Sequence, residues 1–244
     1  MIWHFSKQMR RRLGIFLVCM GFLSLCSIFF SAGTFQSDGE TQKQAPRQID
    51  PTKPMLALTF DDGPYAPSTE RILEALEKVN GRATFFVVGS RIAGREETLQ
   101  KIAQSGSEIG NHTFDHAILK DLSETEIQKQ FAKTAETIEA VTGQKPSLLR
   151  CPGGVIPTHL QKPLPCPNVF WSIDTKDWSH QNAKRTADIV LREAKDGDIV
   201  LMHDLFVPTA EAVEMMLPEL QRRGFQFVTV SELMQYRKNI SVNF

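Results

Sequence analysis

A net charge is what this chain lacks: over 244 residues, 28 Lys and Arg face 28 Asp and Glu. Acid is also missing from residues 1–33, which hold Lys7, Arg10, Arg11 and Arg12. The rest of the chain therefore has 24 bases against 28 acids, a net of −4. No basic footprint for nucleic acid is expected from that balance. At 41% hydrophobic and 23% charged, the chain also lacks the composition of a disordered polymer. Cysteine is scarce: Cys19 and Cys26 fall in an apolar run near the start, leaving Cys151 and Cys166 in the body. A chain of this length can bury a core without disulfide staples, as one domain of moderate size or two small ones. No internal repeat is visible.

What is present begins with an address. Met1–Arg12 is short and basic, Leu13–Phe30 (LGIFLVCMGFLSLCSIFF) carries no charge over eighteen residues, and Ser31-Ala32-Gly33 supplies small residues. Basic, apolar, then small is the order of an export signal. The run also just reaches transmembrane length, so cleavage after Gly33 and retention as a single anchor are both open. The basic flank predicts an N-terminus left in the cytoplasm, with the remainder facing outward, extracellular or at the cell surface. Val18 and Leu25 precede the two cysteines of the run where a lipoprotein signal needs a small residue, so lipidation does not fit. An oxidising compartment permits Cys151 and Cys166 to pair; two free thiols are the equal alternative.

Residues 34–54 are polar and aperiodic and read as a linker. After them, apolar strand-like runs alternate with helical patterns. Strands are expected at Met55–Phe60, Ala83–Val88, Leu148–Arg150, Val169–Ile173, Ile199–Met202 and Phe225–Val230. Helices are expected around Ile72–Val79, Ile127–Val141, Ile189–Ala194 and Val213–Leu220. Such alternation implies parallel βα units, in a reduced or distorted barrel or an open doubly wound sheet.

In parallel βα folds, sites gather at the carboxyl ends of strands, and polar groups sit at those ends here. Asp61-Asp62-Gly63-Pro64 follows the first strand; two adjacent carboxylates can take different roles, although the tetrapeptide is also an ordinary turn signal. His112 and His116 are four apart, a spacing that on a helical turn places both imidazoles on one face, where they could share a metal or simply be two surface residues. Two histidines and one carboxylate form a common catalytic zinc set, with Asp62 the natural third ligand. Arg150 ends another strand, where a guanidinium can grip a carboxylate with two prongs. Gly153 and Gly154 then allow a backbone N–H to approach an oxyanion. His203 closes the strand Ile199–Met202 and is well placed as an acid–base group.

Together these residues resemble the polysaccharide deacetylase family, carbohydrate esterase family 4. Thr59-Phe60-Asp61-Asp62-Gly63-Pro64 is similar to its first motif, His112-Thr113-Phe114-Asp115-His116 to its second and Arg150-Cys151-Pro152-Gly153-Gly154 to its third. Asp177-Trp178 resembles the fourth and Leu201-Met202-His203 the fifth, all in the family's order, over residues 55 to about 235. The resemblance implies an α/β fold, a distorted (β/α) barrel of seven to eight parallel strands filling a catalytic domain at 55–238. It implies metal-dependent removal of acetyl groups from N-acetylglucosamine-type residues of peptidoglycan or a chitin-like oligosaccharide. An O-acetyl ester hydrolase and a non-catalytic sugar-binding relative are the alternatives. Asp62, His112 and His116 would hold a divalent metal, zinc by expectation. Asp61 would be the general base, held by Arg150; His203 would protonate the leaving amine, oriented by Asp177. The Gly153 N–H would meet the oxyanion, and Leu201 and Trp178 would wall a pocket for the acetyl methyl. The expected partner is a glycan, met by a monomer.

Two departures stand out. The family often has an aromatic residue where Gly153 stands. Between Gly154 and Asn168, where a helical segment is usual, this chain has VIPTHLQKPLPCP with four prolines. A Cys151–Cys166 bridge is one expected brace for that edge.

Overall fold

β1 (Met55–Asp61) is buried along its whole length. A strand covered on both faces needs such a continuous run, and the alternation within it sorts two environments. Leu56, Leu58 and Phe60 join the larger core cluster under the helices, while Met55 and Ala57 join a second cluster on the opposite face. Thr59 and Asp61 continue that second face by the period of two. The computed structural model describes residues 48–238 and the backbone of 242 and 243. The apolar run at 13–30 and most of the expected linker lie outside the described residues. Among the described residues, no helix is long and apolar enough to cross a membrane.

Around β1 the sheet adds β2 (Thr84–Val87), β3 (Glu108–Asn111), β5 (Ile173–Asp174), β6 (Asp198–His203) and β7 (Gln226–Val228). The order is β3-β2-β1-β6-β5, with β7 also on β1, and every pairing is parallel. β6 runs beside β1 from Leu56 to Asp61, so β7 and β2 divide the other edge, β7 taking Met55–Ala57 and β2 taking Thr59–Asp61. Beyond β3, single parallel bridges lead from Asn111 to Leu149 and from Leu149 to Asn168. β4 (Asn168–Val169) and β5 are separated only by Phe170, Trp171 and Ser172, and β5 pairs β6. The segment from Asn168 to Asp174 thus closes a barrel-like ring.

Several sequence expectations are corrected here. The run Val169–Ile173 is two short strands facing different neighbours, and Leu148–Arg150 contributes one bridging residue, Leu149, in place of a strand. Prolines explain both: Pro146 and Pro152 flank the latter, Pro163, Pro165 and Pro167 precede the former, and proline gives a ladder no N–H. The described sheet holds six parallel strands where seven to eight were expected, and β4 pairs antiparallel with β8 (Val242–Asn243). The expected last strand stops at Val228, because Thr229 and Glu232 form a capping box that starts a short helix, Val230–Tyr236.

The helices cover the outside: α1 (Ala66–Lys78), α2 (Glu96–Gln104), α3 (Glu124–Thr142), the single turn α4 (Asp177–His180), α5 (Ala183–Glu193), α6 (Val207–Arg222) and α7 (Val230–Tyr236). α3 starts at a Ser123–Glu126 capping box and stops at Gly143, whose φ of 72° suits glycine. The end of the expected linker is tied to the body, since Asp50 and Gln226 exchange two hydrogen bonds.

Candidate active site

The site lies where β1, β3 and β6 end. Asp61 is the last residue of β1, nearly buried and pointing into the ring. Arg150, fully buried, donates from Nη1 to Asp61 Oδ1 at 2.7 Å and to Thr59 Oγ1 at 2.8 Å. Its Nε donates to the Val169 carbonyl and its Nη2 to that of Phe170, and the guanidinium lies over the rings of Phe86 and Trp171. The expected two-pronged grip is therefore corrected to one prong. The remaining donors are used by the segment that closes the ring, which gives this arginine a structural task beside the site.

Asp62 leaves β1 with a φ of 76°, turning its side chain towards two histidines. Its Oδ1 lies 3.3 Å from His116 Nε2 and 3.8 Å from His112 Nε2. One ligand atom from each of the three residues lies within 4.8 Å of the others. Asp62 Oδ1 is buried without a hydrogen-bond partner among the described residues. His112 places Nδ1 2.8 Å from the Arg150 carbonyl; with the proton on that nitrogen, Nε2 keeps its lone pair for a ligand. Burial, the largest influence, holds the His112 pKa below its ordinary value against the pull of Asp61 and Asp62, so the ring stays neutral. An orphaned carboxylate oxygen and a neutral, tautomer-fixed imidazole fit a divalent metal.

The histidines meet by a route the sequence reading did not foresee. Residues 112–116 form no helix; Thr113 and His116 have φ of 65° and 59° and fold the loop back. The two rings end 5.0 Å apart. A β-branched residue at positive φ costs on the order of 1–3 kcal/mol. Asn111 and Gln130 support it: Asn111 Oδ1 accepts from the Thr113 N–H, and Gln130 Oε1 accepts from the N–H groups of Phe114 and Asp115. No motif or spacing in the sequence marks either supporter.

At the end of β6, His203 Nδ1 lies 2.8 Å from Asp177 Oδ1. Asp177 Oδ2 also accepts from the His203 N–H and from Thr209 Oγ1. Burial is the largest single influence and lowers the His203 pKa, but the Asp177 bond and the charges of Asp177, Asp61 and Asp62 outweigh it, so the pKa is raised. Asp61 and His203 are partners in the β1–β6 register, which joins the two halves of the site.

Asp204 went unassigned in the sequence. It is fully buried, holds Thr69 Oγ1 through Oδ2, and lies so close to Gly63 that a Cβ there would come within 2.3 Å. Burial pushes its carboxyl up to about 7, opposed by the Thr69 bond and reinforced by Asp62 and Asp61. Gly63 is thus fixed by a neighbour rather than by its own φ.

The other expected site residues are placed as follows. Gly153 is exposed at a φ of 65°, with open space where a Cβ would stand, whereas Gly154 backs onto Trp171. Leu201 shares the ring-facing side of β6 with His203, and Trp178 follows Asp177 with 53% of its surface exposed. The 155–167 segment forms no helix, as the prolines require. Cys151 and Cys166 are both free, so the expected brace is not formed. They pack with Leu119, Ile127, Phe131 and Leu149, and burial raises their thiols to about 12 and about 11, which suits small apolar fillers.

The family profile described as Polysaccharide deacetylase matches residues 48–164. A peptidoglycan-N-acetylglucosamine deacetylase of Bacillus cereus is 34% identical over 191 residues, covering 75% of this chain and 89% of its own. The peptidoglycan-N-acetylmuramic acid deacetylase PdaC of Bacillus subtilis is 40% identical over 190 residues, 78% of this chain and 41% of that protein. This chain therefore spans about two fifths of PdaC's length. The solved PdaC structure superposes with a TM-score of 0.75 at 39% identity, covering 77% of this chain and 93% of that one. A family 4 acetyl xylan esterase from Clostridium thermocellum, solved with a cobalt ion, gives 0.70 at 34% identity, covering 74% and 90%. The chain belongs to the polysaccharide deacetylase family.

Proposed function

We propose that this protein is a metal-dependent deacetylase of N-acetylated sugars in peptidoglycan. The observation that carries the reading is the abutment of the Asp62–His112–His116 triad on the Arg150-held Asp61, with Asp177–His203 one strand away. The triad would hold the metal, zinc being the natural choice for two imidazoles and a carboxylate. Once bound, it supplies a Lewis acid for the acetyl carbonyl and acidifies a water. Asp61 takes the proton of the attacking water, and Arg150 keeps that carboxylate aimed. The Gly153 N–H faces the oxyanion. His203 Nε2 gives a proton to the sugar nitrogen as the C–N bond breaks, releasing acetate and a free amine. Asp177 holds the imidazole's other nitrogen. Leu201 and Trp178 border the acetyl methyl. Residues 1–33 export or anchor a monomeric catalytic body, 55–238, outside the membrane, where relatives' named substrate lies.

The test is acetate release by the full chain, stripped with chelator and reloaded with zinc. The substrates are N-acetylglucosamine oligomers, peptidoglycan and an O-acetylated xylan. Zinc-restored release from the N-acetyl substrates is expected. Release from xylan alone would replace the amide with an ester; no release from any, with metal bound, would leave a sugar-binding protein.

The proton donor also predicts a pH limb. His203 must be protonated to act, so kcat/KM falls as pH rises through its raised pKa. Asp177→Asn removes a charge that raises it, and the alkaline limb is expected to move down by about one unit or more. An unmoved limb would assign it to another group.

A further inference from the structure

Arg91 closes the 3₁₀ turn Gly89–Arg91 after β2, and the proposed reaction gives it no task. Its Nη1 donates to the Asp62 carbonyl at 2.5 Å and lies 3.5 Å from Asp62 Oδ1, a proposed ligand atom. Among the described residues the guanidinium makes no other hydrogen bond, and the side chain is 34% exposed. Arg95, exposed one turn on, donates to the Arg91 carbonyl, so a second cation shares this turn. Guanidinium carries five N–H donors in a planar fork whose Nε–Nη2 edge matches a carboxylate. Here one donor holds the Asp62 turn and that edge is left unused. A wholly neutral glycan would give a half-solvated cation at this rim nothing to bind, and lysine, a point charge, would serve the single bond to Asp62.

Resting on the deacetylase reading, we propose that Arg91 is a specificity-determining residue that binds a carboxylate carried by the substrate beside its acetamido group. The lactyl ether of N-acetylmuramic acid is such a group: it sits on the sugar carbon next to the one bearing the acetamide. In this proposal, with the acetamide at the triad, that carboxylate lies on the Arg91 side, where Arg91 Nη1 stands 3.5 Å from Asp62 Oδ1. Muramic residues with a free carboxylate are the substrate class, ahead of neutral N-acetylglucosamine polymers.

The experiment compares a tetrasaccharide of alternating N-acetylglucosamine and N-acetylmuramic acid with its lactyl methyl ester, which keeps the shape and removes the charge. Full-chain wild type, Arg91→Gln and Arg91→Lys, all zinc-loaded, are assayed for acetate release. Binding of both sugars is measured by calorimetry in an Asp61→Asn background. Wild type should prefer the acid at least tenfold, by kcat/KM and by Kd. Arg91→Gln should bring both ratios near one, and Arg91→Lys should keep part of the preference. Loosening of the Asp62 turn would lower both substrates together and cancels in the ratio. A wild-type ratio near one, or a ratio unchanged in Arg91→Gln, would overturn the assignment. The calorimetric ratio reads Arg91 even if neither sugar is turned over, an outcome that would instead sink the deacetylase reading.

Discussion

Asp61→Asn keeps its metal and loses turnover by about 10²–10⁴-fold, the range of a positioned general base. Asparagine preserves the shape and an oxygen for Arg150 Nη1, now 2.7 Å from Asp61 Oδ1, but it cannot take a proton from water. Arg150 then lacks its counter-charge in a buried setting, so some stability is lost as well. That loss is moderate, because the other guanidinium bonds, to Thr59, Val169 and Phe170, remain. His112→Ala is the contrasting variant. It removes one of three ligands and leaves the Arg150–Asp61 pair intact, so metal content and activity fall together. Metal analysis beside steady-state rates separates the two. An Asp61→Asn rate above a tenth of wild type would mean that another group accepts the proton.

Arg150→Met gives the largest stability effect. Methionine fits between Phe86 and Trp171 but offers no donor. Asp61 and the carbonyls of Val169 and Phe170 would then be left inside the ring without this partner. Breaking a buried pair this way costs about 3–5 kcal/mol, or roughly 10 °C in melting temperature for a domain of this size. Activity falls too, since Asp61 is no longer aimed. The backbone carbonyl that meets His112 Nδ1 survives the substitution, so metal affinity should drop less than turnover. Melting within 2 °C of wild type would remove Arg150 from the ring's support, a threshold set by the roughly 2–4 °C expected per kcal/mol.

The candidate site residues are legible because an apolar run that stops at a polar group announces itself. Phe60 before Asp61, Leu149 before Arg150 and Met202 before His203 each mark apolar runs that stop at a polar group. Period two and the parallel βα pattern then bring those ends to one rim. What escaped was local hydrogen bonding, which has no period. Asn111 and Gln130 shape the histidine loop by accepting from its backbone N–H groups, Asn111 from two residues away and Gln130 from a different element. Thr209 and Asp204 act through side chains instead: Thr209 Oγ1 donates to Asp177, and Asp204 accepts from Thr69 Oγ1 at the start of α1. The spacing of His112 and His116 suggests a pair on one helical face; the structure brings the two rings together without a helix. Left-handed Thr113 and His116 achieve the approach, and β-branched threonine gives no sequence signal for that conformation. The capping box at Thr229 is present in the sequence, but the apolar run through Val230 masks it.

One consequence follows from the pairing of Asp61 with His203 across β1 and β6. Neighbouring strands stand about 4.8 Å apart whatever their side chains. The gap between the proposed proton acceptor and the proposed proton donor is therefore a property of the hydrogen-bond ladder. Loops such as 155–167 can be rewritten to suit a new polymer while that gap keeps its length. A single-residue slip in either strand would turn one of the pair out of the ring. For the proposed reaction, a slip in the rungs therefore costs more than an edit to a loop such as 155–167.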